Sequence, residues 1–177
     1  LTNPRLAAIL KPRDGSTVKL IYGRALRPPN AYELYYEDGV FTQRPDHLDP
    51  ERNTSYEALL EQRLATNYRM TAGVFSYEID DMIRQVEDPA TGLTVFQNAG
   101  QMTAKGLEFE LEGTWKANLR GNIGYTYQET TDKSTGEWLV NSPRHIGKVN
   151  IIVPFFHDNW SLGTNLQYMS ARKTTSG

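Results

Sequence analysis

Leu107-Glu108-Phe109-Glu110-Leu111-Glu112 alternates large apolar and acidic side chains without a break. Successive side chains of an extended strand point to opposite faces, so this hexapeptide reads as a strand with one greasy face and one wet face. It follows the turn-prone Asn98-Ala99-Gly100 and Lys105-Gly106 and precedes Lys116-Ala117-Asn118, which gives it the length of one traverse across a sheet. A soluble sheet and a membrane barrel both alternate in this way. The direction in which each face points separates them, and composition alone leaves that choice open.

Outward from this run, short turns and long polar connections take turns along the chain. Leu6 to Leu10 meets Val18 to Tyr22 across Pro12-Arg13-Asp14-Gly15, and Tyr56 to Leu64 meets Met70 to Ile83 through Thr66-Asn67. Leu107 to Trp115 meets Leu119 to Tyr127 across Ala117-Asn118, and Val149 to Phe155 leads through His157-Asp158-Asn159 into Leu162 to Tyr168. Between these hairpins lie the proline-rich segment 26–53, the irregular segment 85–101 with Asp88-Pro89-Ala90-Thr91-Gly92, and 129–143. The expected fold is all-β: an antiparallel up-and-down meander of about eight strands, short turns at one end and long loops at the other, as in a segment of a larger transmembrane β-barrel. A soluble sandwich sorts its connections less cleanly. In the second hairpin the expected outward row is Thr71, Gly73, Phe75, Tyr77 and Ile79, in common with Leu107, Phe109, Ile123 and Tyr125. One segment resists: Thr54-Ser55-Tyr56-Glu57 fits a capping box, and Glu57 to Leu64 is rich in helix formers. The alternation of the whole chain sets strand over helix at 55–64.

Composition narrows the function. A net charge of −2 and a pI near 6.0 give no clustered basic surface for nucleic acid. With no cysteine, neither a disulfide framework nor a cysteine zinc site is possible. Mean hydropathy is −0.57 and no apolar run nears the roughly 18 to 20 residues of a spanning helix, whereas barrel strands need only alternate apolar positions. The three histidines, His47, His145 and His157, sit in different parts of the chain without metal-ligand spacing. Neither a Gly-x-Ser-x-Gly elbow nor a phosphate-cradling glycine loop occurs, Asp46-His47-Leu48-Asp49 reads as a solvated loop before a cation site, and no enzyme activity, metal or cofactor is expected.

The stretch Leu20-Ile21-Tyr22-Gly23-Arg24-Ala25-Leu26-Arg27-Pro28-Pro29, then Ala31-Tyr32-Glu33-Leu34-Tyr35, resembles the barrel signature of TonB-dependent outer-membrane receptors. Leu48-Asp49-Pro50-Glu51, Asp80-Asp81-Met82-Ile83, Phe96-Gln97-Asn98-Ala99-Gly100, Ala104-Lys105-Gly106-Leu107-Glu108 and Asn141-Ser142-Pro143-Arg144-His145 are similar to further stations of that family, in family order. The resemblance implies that residues 1–177 are part of the receptor's β-barrel domain. The family's plug domain and terminal strands are not seen in this sequence, so the chain is expected to be a piece of something longer. It also implies an outer-membrane receptor for TonB-dependent active uptake of a scarce nutrient such as a ferric siderophore or cobalamin. Its partners would be that nutrient, its own plug domain and through it the TonB complex, and outer-membrane lipid; its place is the bacterial outer membrane. A passive porin-like or structural barrel and a soluble β-sheet ligand-binding module are the alternatives.

Within that frame the expected ligand loops are 28–53, 84–97, 129–143 and the tail after Tyr168. Tyr35, Tyr36, Phe41 and Trp138 offer aromatic contact, and Arg44, Arg84 and Arg144 offer charge to an anionic chelate. Glu108, Glu110 and Glu112, about 7 Å apart along one face, repel one another unless water or cations screen them. They are expected to face the lumen or plug with Arg24, and Arg63, Arg120 or Lys148 are further cations for that face. The same acidic row equally describes the outer face of a soluble sheet.

Overall fold

The computed structural model describes residues 2–155 and 159–174. Eight strands form one sheet: β1 (Arg5–Arg13), β2 (Ser16–Arg27), β3 (Glu51–Ala65), β4 (Tyr68–Asp80), β7 (Met102–Thr114), β8 (Arg120–Asp132), β9 (His145–Phe155) and β10 (Trp160–Met169). Each pairs antiparallel with its neighbour in that order, so the sheet is the expected meander. The remaining two strands, β5 (Ile83–Glu87) and β6 (Thr94–Asn98), make a separate hairpin in the connection between β4 and β7. Of the expected turn at 157–159, residues 157 and 158 lie outside the described residues.

Local chemistry accounts for the turns. Between β7 and β8, Ala117 and Asn118 both take left-handed backbone angles, with φ of 58° and 55°, as a tight hairpin with the sheet's twist requires. The β3 segment is strand from end to end, so its helix-forming residues yield to pairing with β2 and β4. The capping box that does form is Asn30 with Glu33, on the one-turn helix α1 (Ala31–Tyr35).

Three boundaries differ from expectation. β2 runs to Arg27 and β3 begins at Glu51, which trims the first long connection at both ends. Segment 85–101, expected to be irregular, carries most of the β5–β6 hairpin. β8 continues to Asp132, and Thr131 bridges Trp138, so part of the third connection is also extended.

Register sorts the side chains into two faces. Val74 opposes Leu107 and Ala72 opposes Phe109, while Leu107, Phe109 and Leu111 oppose Tyr127, Tyr125 and Ile123. Leu20, Ala58, Val149, Ile151, Leu162 and Leu166 continue the same row by the pairings of their strands. Gly73, Thr71 and Arg69 oppose Glu108, Glu110 and Glu112 on the other side. This corrects one expectation. Phe75, Tyr77 and Ile79 share the acidic face, and Val74 with Ala72 holds the apolar one. Tyr77 confirms the assignment by donating its hydroxyl to Glu57, which opposes Phe75, at 3.2 Å.

Neither face of the sheet is covered. Val74 is 57% exposed, Leu166 66% and Leu6 68%, and the buried apolar side chains among the described residues are Leu48, Val95 and Phe96, all in the connections. A sheet with two open faces is a wall. Among the described residues the eight-stranded sheet buries no apolar side chain of its own.

Candidate ligand-binding face

The long connections rise from one end of the wall, and ion pairs fix their base. Arg27 Nη1 reaches both carboxylate oxygens of Glu33 at 3.1 Å, while its Nε and Nη2 donate to Glu51 at 2.6 and 2.7 Å. Glu51 also accepts from the Ile83 amide at 2.8 Å, which ties β3 to the β5–β6 hairpin. Glu33 completes the capping box: the Asn30 amide donates to its carboxylate at 2.8 Å and its own amide donates to Asn30 Oδ1 at 2.9 Å. The helix so pinned presents Tyr32, Tyr35 and Tyr36. Just beyond it, the Asp38 carboxylate accepts from the amides of Val40, Thr42 and Phe41 at 3.0, 2.8 and 2.8 Å. Those donors stabilise the charged form and hold Asp38 below the usual carboxylate range.

The candidate binding residues fall into small groups. Arg44 lies 6.0 Å above the Tyr35 ring, and Arg144 lies 4.7 Å above the Trp138 ring. Tyr36 stacks on Tyr32 at 4.4 Å, and Tyr32 meets the edge of Phe96 at 5.8 Å. Phe41 stands free at 73% exposure. Arg84 is already engaged, with Nη1 and Nη2 both 3.3 Å from Asp132, so its charge serves to join the hairpin to β8. Residues 170–174, just beyond β10, fold onto the third connection: the Asn141 amide donates to the Lys173 carbonyl at 2.8 Å, and Lys173 pairs with Glu137 at 3.2 Å. Tyr32 and Phe96 join the aromatic group without having stood among the candidates. The spacing of Tyr32 and Tyr36, one helical turn apart, was the available signal for the first.

Two members of the acidic row on the polar face have partners. Glu112 pairs with Arg69, and Glu110 accepts from Asn122 at 2.7 Å. Asn122 accepts from Asn150 at 2.6 Å, and Asn150 accepts from Asn165, so a continuous polar chain crosses β7, β8, β9 and β10. Lys19 meets Glu61 at 2.5 Å on the same face. Register puts Arg63, Arg120 and Lys148 there too. Arg24 is different. It opposes Thr54, two positions beyond the Tyr22–Tyr56 pair, and so lies on the apolar face, opposite to the side expected for it. Its Nε is buried without a hydrogen-bond partner among the described residues.

No grouping of three or more His, Asp or Glu side chains suited to a metal ion occurs among the described residues. His47 and Asp49, at 3.2 Å, are both exposed. His145 takes part in an aromatic group with Tyr125, whose hydroxyl lies 2.7 Å from its Nδ1. What the loop end can do chemically is grip a planar or anionic molecule with rings and guanidinium groups.

A protein-family model described as TonB dependent receptor-like, beta-barrel, matches residues 1–177. The vitamin B12 transporter BtuB of Vibrio cholerae is 27% identical over 160 residues, which is 88% of this chain and 23% of that protein. Among solved structures, the FrpB iron transporter from Neisseria meningitidis superposes with a TM-score of 0.71 at 15% identity, over 94% of this chain and 26% of that one. The alcaligin outer-membrane receptor FauA from Bordetella pertussis gives 0.65 at 20% identity, over 95% of this chain and 29% of that one. At such identities the superpositions speak for the fold. The chain spans about a quarter of the length of the proteins it matches.

Proposed function

The chain belongs to the TonB-dependent receptor β-barrel family, and we propose that it forms part of the wall and ligand-capturing loops of a bacterial outer-membrane receptor. That receptor takes up a scarce nutrient, a ferric siderophore or cobalamin, by active transport powered through the TonB complex. It binds and moves its cargo without chemical change. The apolar face meets outer-membrane lipid, the polar face with Glu108, Glu110 and Glu112 meets the wet interior and the receptor's plug domain, and the long connections face outside. Tyr35, Tyr36, Phe41, Arg44, Trp138 and Arg144 meet the ligand, and Arg84 holds the hairpin in place beneath them.

One observation carries this reading. Rings and ring-stacked guanidinium groups suited to a chelate gather on the long connections at a single end of a two-faced wall, and the turns at 14–15, 66–67 and 117–118 at the other end are tight. Apolar spacing supports the lipid contact. From Trp160 to Tyr168, both on the apolar face of β10, the strand rises about 27 Å, or about 21 Å along the barrel axis after a tilt of about 40°. This approaches the ~25 Å apolar band, edged by aromatic rings, of outer-membrane barrels.

The test is equilibrium binding to the full-length protein in detergent, with ferric catecholate, ferric hydroxamate and cobalamin as probes. Saturable sub-micromolar binding of one of them, weakened at least tenfold by Arg44→Ala with Arg144→Ala, supports the proposal. Absence of binding across the three probes would overturn active uptake and leave a passive barrel.

A further inference from the structure

We infer that the first long connection and the β5–β6 hairpin are one preassembled recognition ledge, with Gln43 and Asp88 as its positioning residues and Tyr32, seated on the buried Phe96, as an added recognition residue. The inference rests on the ligand-capture reading for its purpose and on separate geometry for its existence.

The two segments are far apart in sequence, yet they are joined as secondary structure is joined. The Gln43 amide donates to the Thr94 carbonyl at 2.9 Å, the Thr94 amide donates to the Phe41 carbonyl at 2.8 Å, and Thr42 bridges Thr94 in parallel. Residues 41–43 thus run as a short third strand on the edge of the hairpin. Side chains lock the join. Gln43 Nε2 donates to Asp88 at 2.6 Å, and Thr91 donates its hydroxyl to Gln43 Oε1 at 3.1 Å, so both halves of the Gln43 amide are used across the seam. Asn98 repeats the arrangement at the other end: it accepts from the Asp49 amide at 2.8 Å and donates to the carbonyls of Asp49 and Asp81 at 2.9 and 2.7 Å.

Burial points the same way. Leu48 is 6% exposed, Val95 4% and Phe96 9%, and these buried apolar side chains are carried by the two segments rather than by the eight-stranded sheet. Buried apolar area is what separates a folded unit from a pair of mobile loops. Above it, Tyr35 at 65% and Phe41 at 73% exposure are presented to the outside. A ligand that meets an already ordered surface avoids the cost of ordering two loops, about 0.5–1.5 kcal/mol for each immobilised side chain. Tyr32 stacks with Tyr36 and packs on the buried Phe96, so the hairpin supports the ring surface from beneath, and the Gln43–Asp88 contact fixes how the two segments meet.

The chain has no cysteine, so a Thr42→Cys with Thr94→Cys variant of the full-length protein carries a unique pair of thiols in this region. Closing the pair with a short bis-methanethiosulfonate reagent, each thiolate displacing one methanesulfinate to form a disulfide, should proceed to completion in outer membranes without ligand. Binding and uptake of the probe that binds the parent protein should then stay within about twofold of the untreated variant. Failure to cross-link without ligand, or a tenfold fall in uptake after cross-linking, would mean that the segments must part and would overturn the ledge. Hydrogen exchange adds a second readout. The Gln43 and Thr94 amides should be protected in the ligand-free protein, and Gln43→Ala should release both and weaken binding several-fold without lowering the barrel's Tm. Unchanged protection and affinity in that variant would remove Gln43 from its positioning role. Cross-linking and exchange are read without ligand, so a protein that binds none of the probes defeats the uptake proposal while these measurements still decide the ledge.

Discussion

A Cβ placed on Gly106 would stand 2.3 Å from the Tyr127 carbonyl oxygen and 2.5 Å from Cζ of Phe75. The first contact is with backbone, which cannot swing away, so Gly106→Ala should destabilise the protein by about 1–3 kcal/mol. Gly124, on the neighbouring strand, would gain only an ordinary contact at 3.9 Å, and Gly124→Ala should be neutral or stabilise by about 0.4–1 kcal/mol through the unfolded chain. Thermal or denaturant unfolding of the pair checks this, and equal effects would show that the space around Gly106 is not what fixes it. Asp38 provides a pH test. Three amides depress its folded pKa below the unfolded value, so its contribution to loop order is fully present above the ordinary carboxylate pKa and is lost as pH falls through the folded one. A carboxyl-carbon NMR titration should give an Asp38 midpoint below 3.8, with the order of residues 40–42 unchanged between pH 7 and 5. A midpoint above that value would remove the three-amide grip. Neither feature was legible beforehand, because a glycine in a strand and an aspartate before a glycine read alike wherever they occur.

Strand β3 shows where local and long-range information part company. Thr54 to Glu57 has the residues of a capping box and Glu57 to Leu64 those of a helix, yet the segment is paired along its length on both sides. Tertiary pairing overrides propensity there, while Asn30 and Glu33, which have no strand to join, form the cap that their side chains allow. A synthetic peptide of residues 51–65 should therefore turn helical in trifluoroethanol by circular dichroism, since alcohol rewards local propensity and no partner strand is present. A β signature under those conditions would mean that the segment carries its own preference for strand. The same reasoning explains the misread face of β4. In Met70 to Asp80 both alternating rows hold apolar residues, and the larger rings, Phe75 and Tyr77, suggested the outward one. Only the pairing of Val74 with Leu107 and of Gly73 with Glu108 decides it, and register across strands is not written in either strand alone. Arg24 was misplaced for the same reason. The acidic row of β7, where alternation is unbroken, was readable directly, as were the three short turns among the described residues and the sorting of long connections to one end.

At the scale of the molecule, two adjacent residues of β4 test which side of the wall meets lipid. Val74 lies near the middle of β4 on the apolar face, and Phe75 lies next to it on the face of the glutamates. A lysine on the lipid side of a barrel costs about 2–4 kcal/mol near the bilayer midplane. On a wet interior face it loses only packing, and for Phe75 that is chiefly the stack on Tyr77 at 4.9 Å, about 0.5–1.5 kcal/mol. Val74→Lys should therefore reduce the heat-modifiable, folded band of the full-length protein in outer membranes by tenfold or more, and Phe75→Lys should leave most of it. The reverse order, with Phe75→Lys blocked and Val74→Lys assembled, would turn the wall inside out and place the glutamate row in lipid. That arrangement is physically excluded unless the row is protonated or covered by another chain. The lysine pair thus tests at one stroke the corrected register, the identity of the wet face and the membrane setting on which the proposed uptake depends.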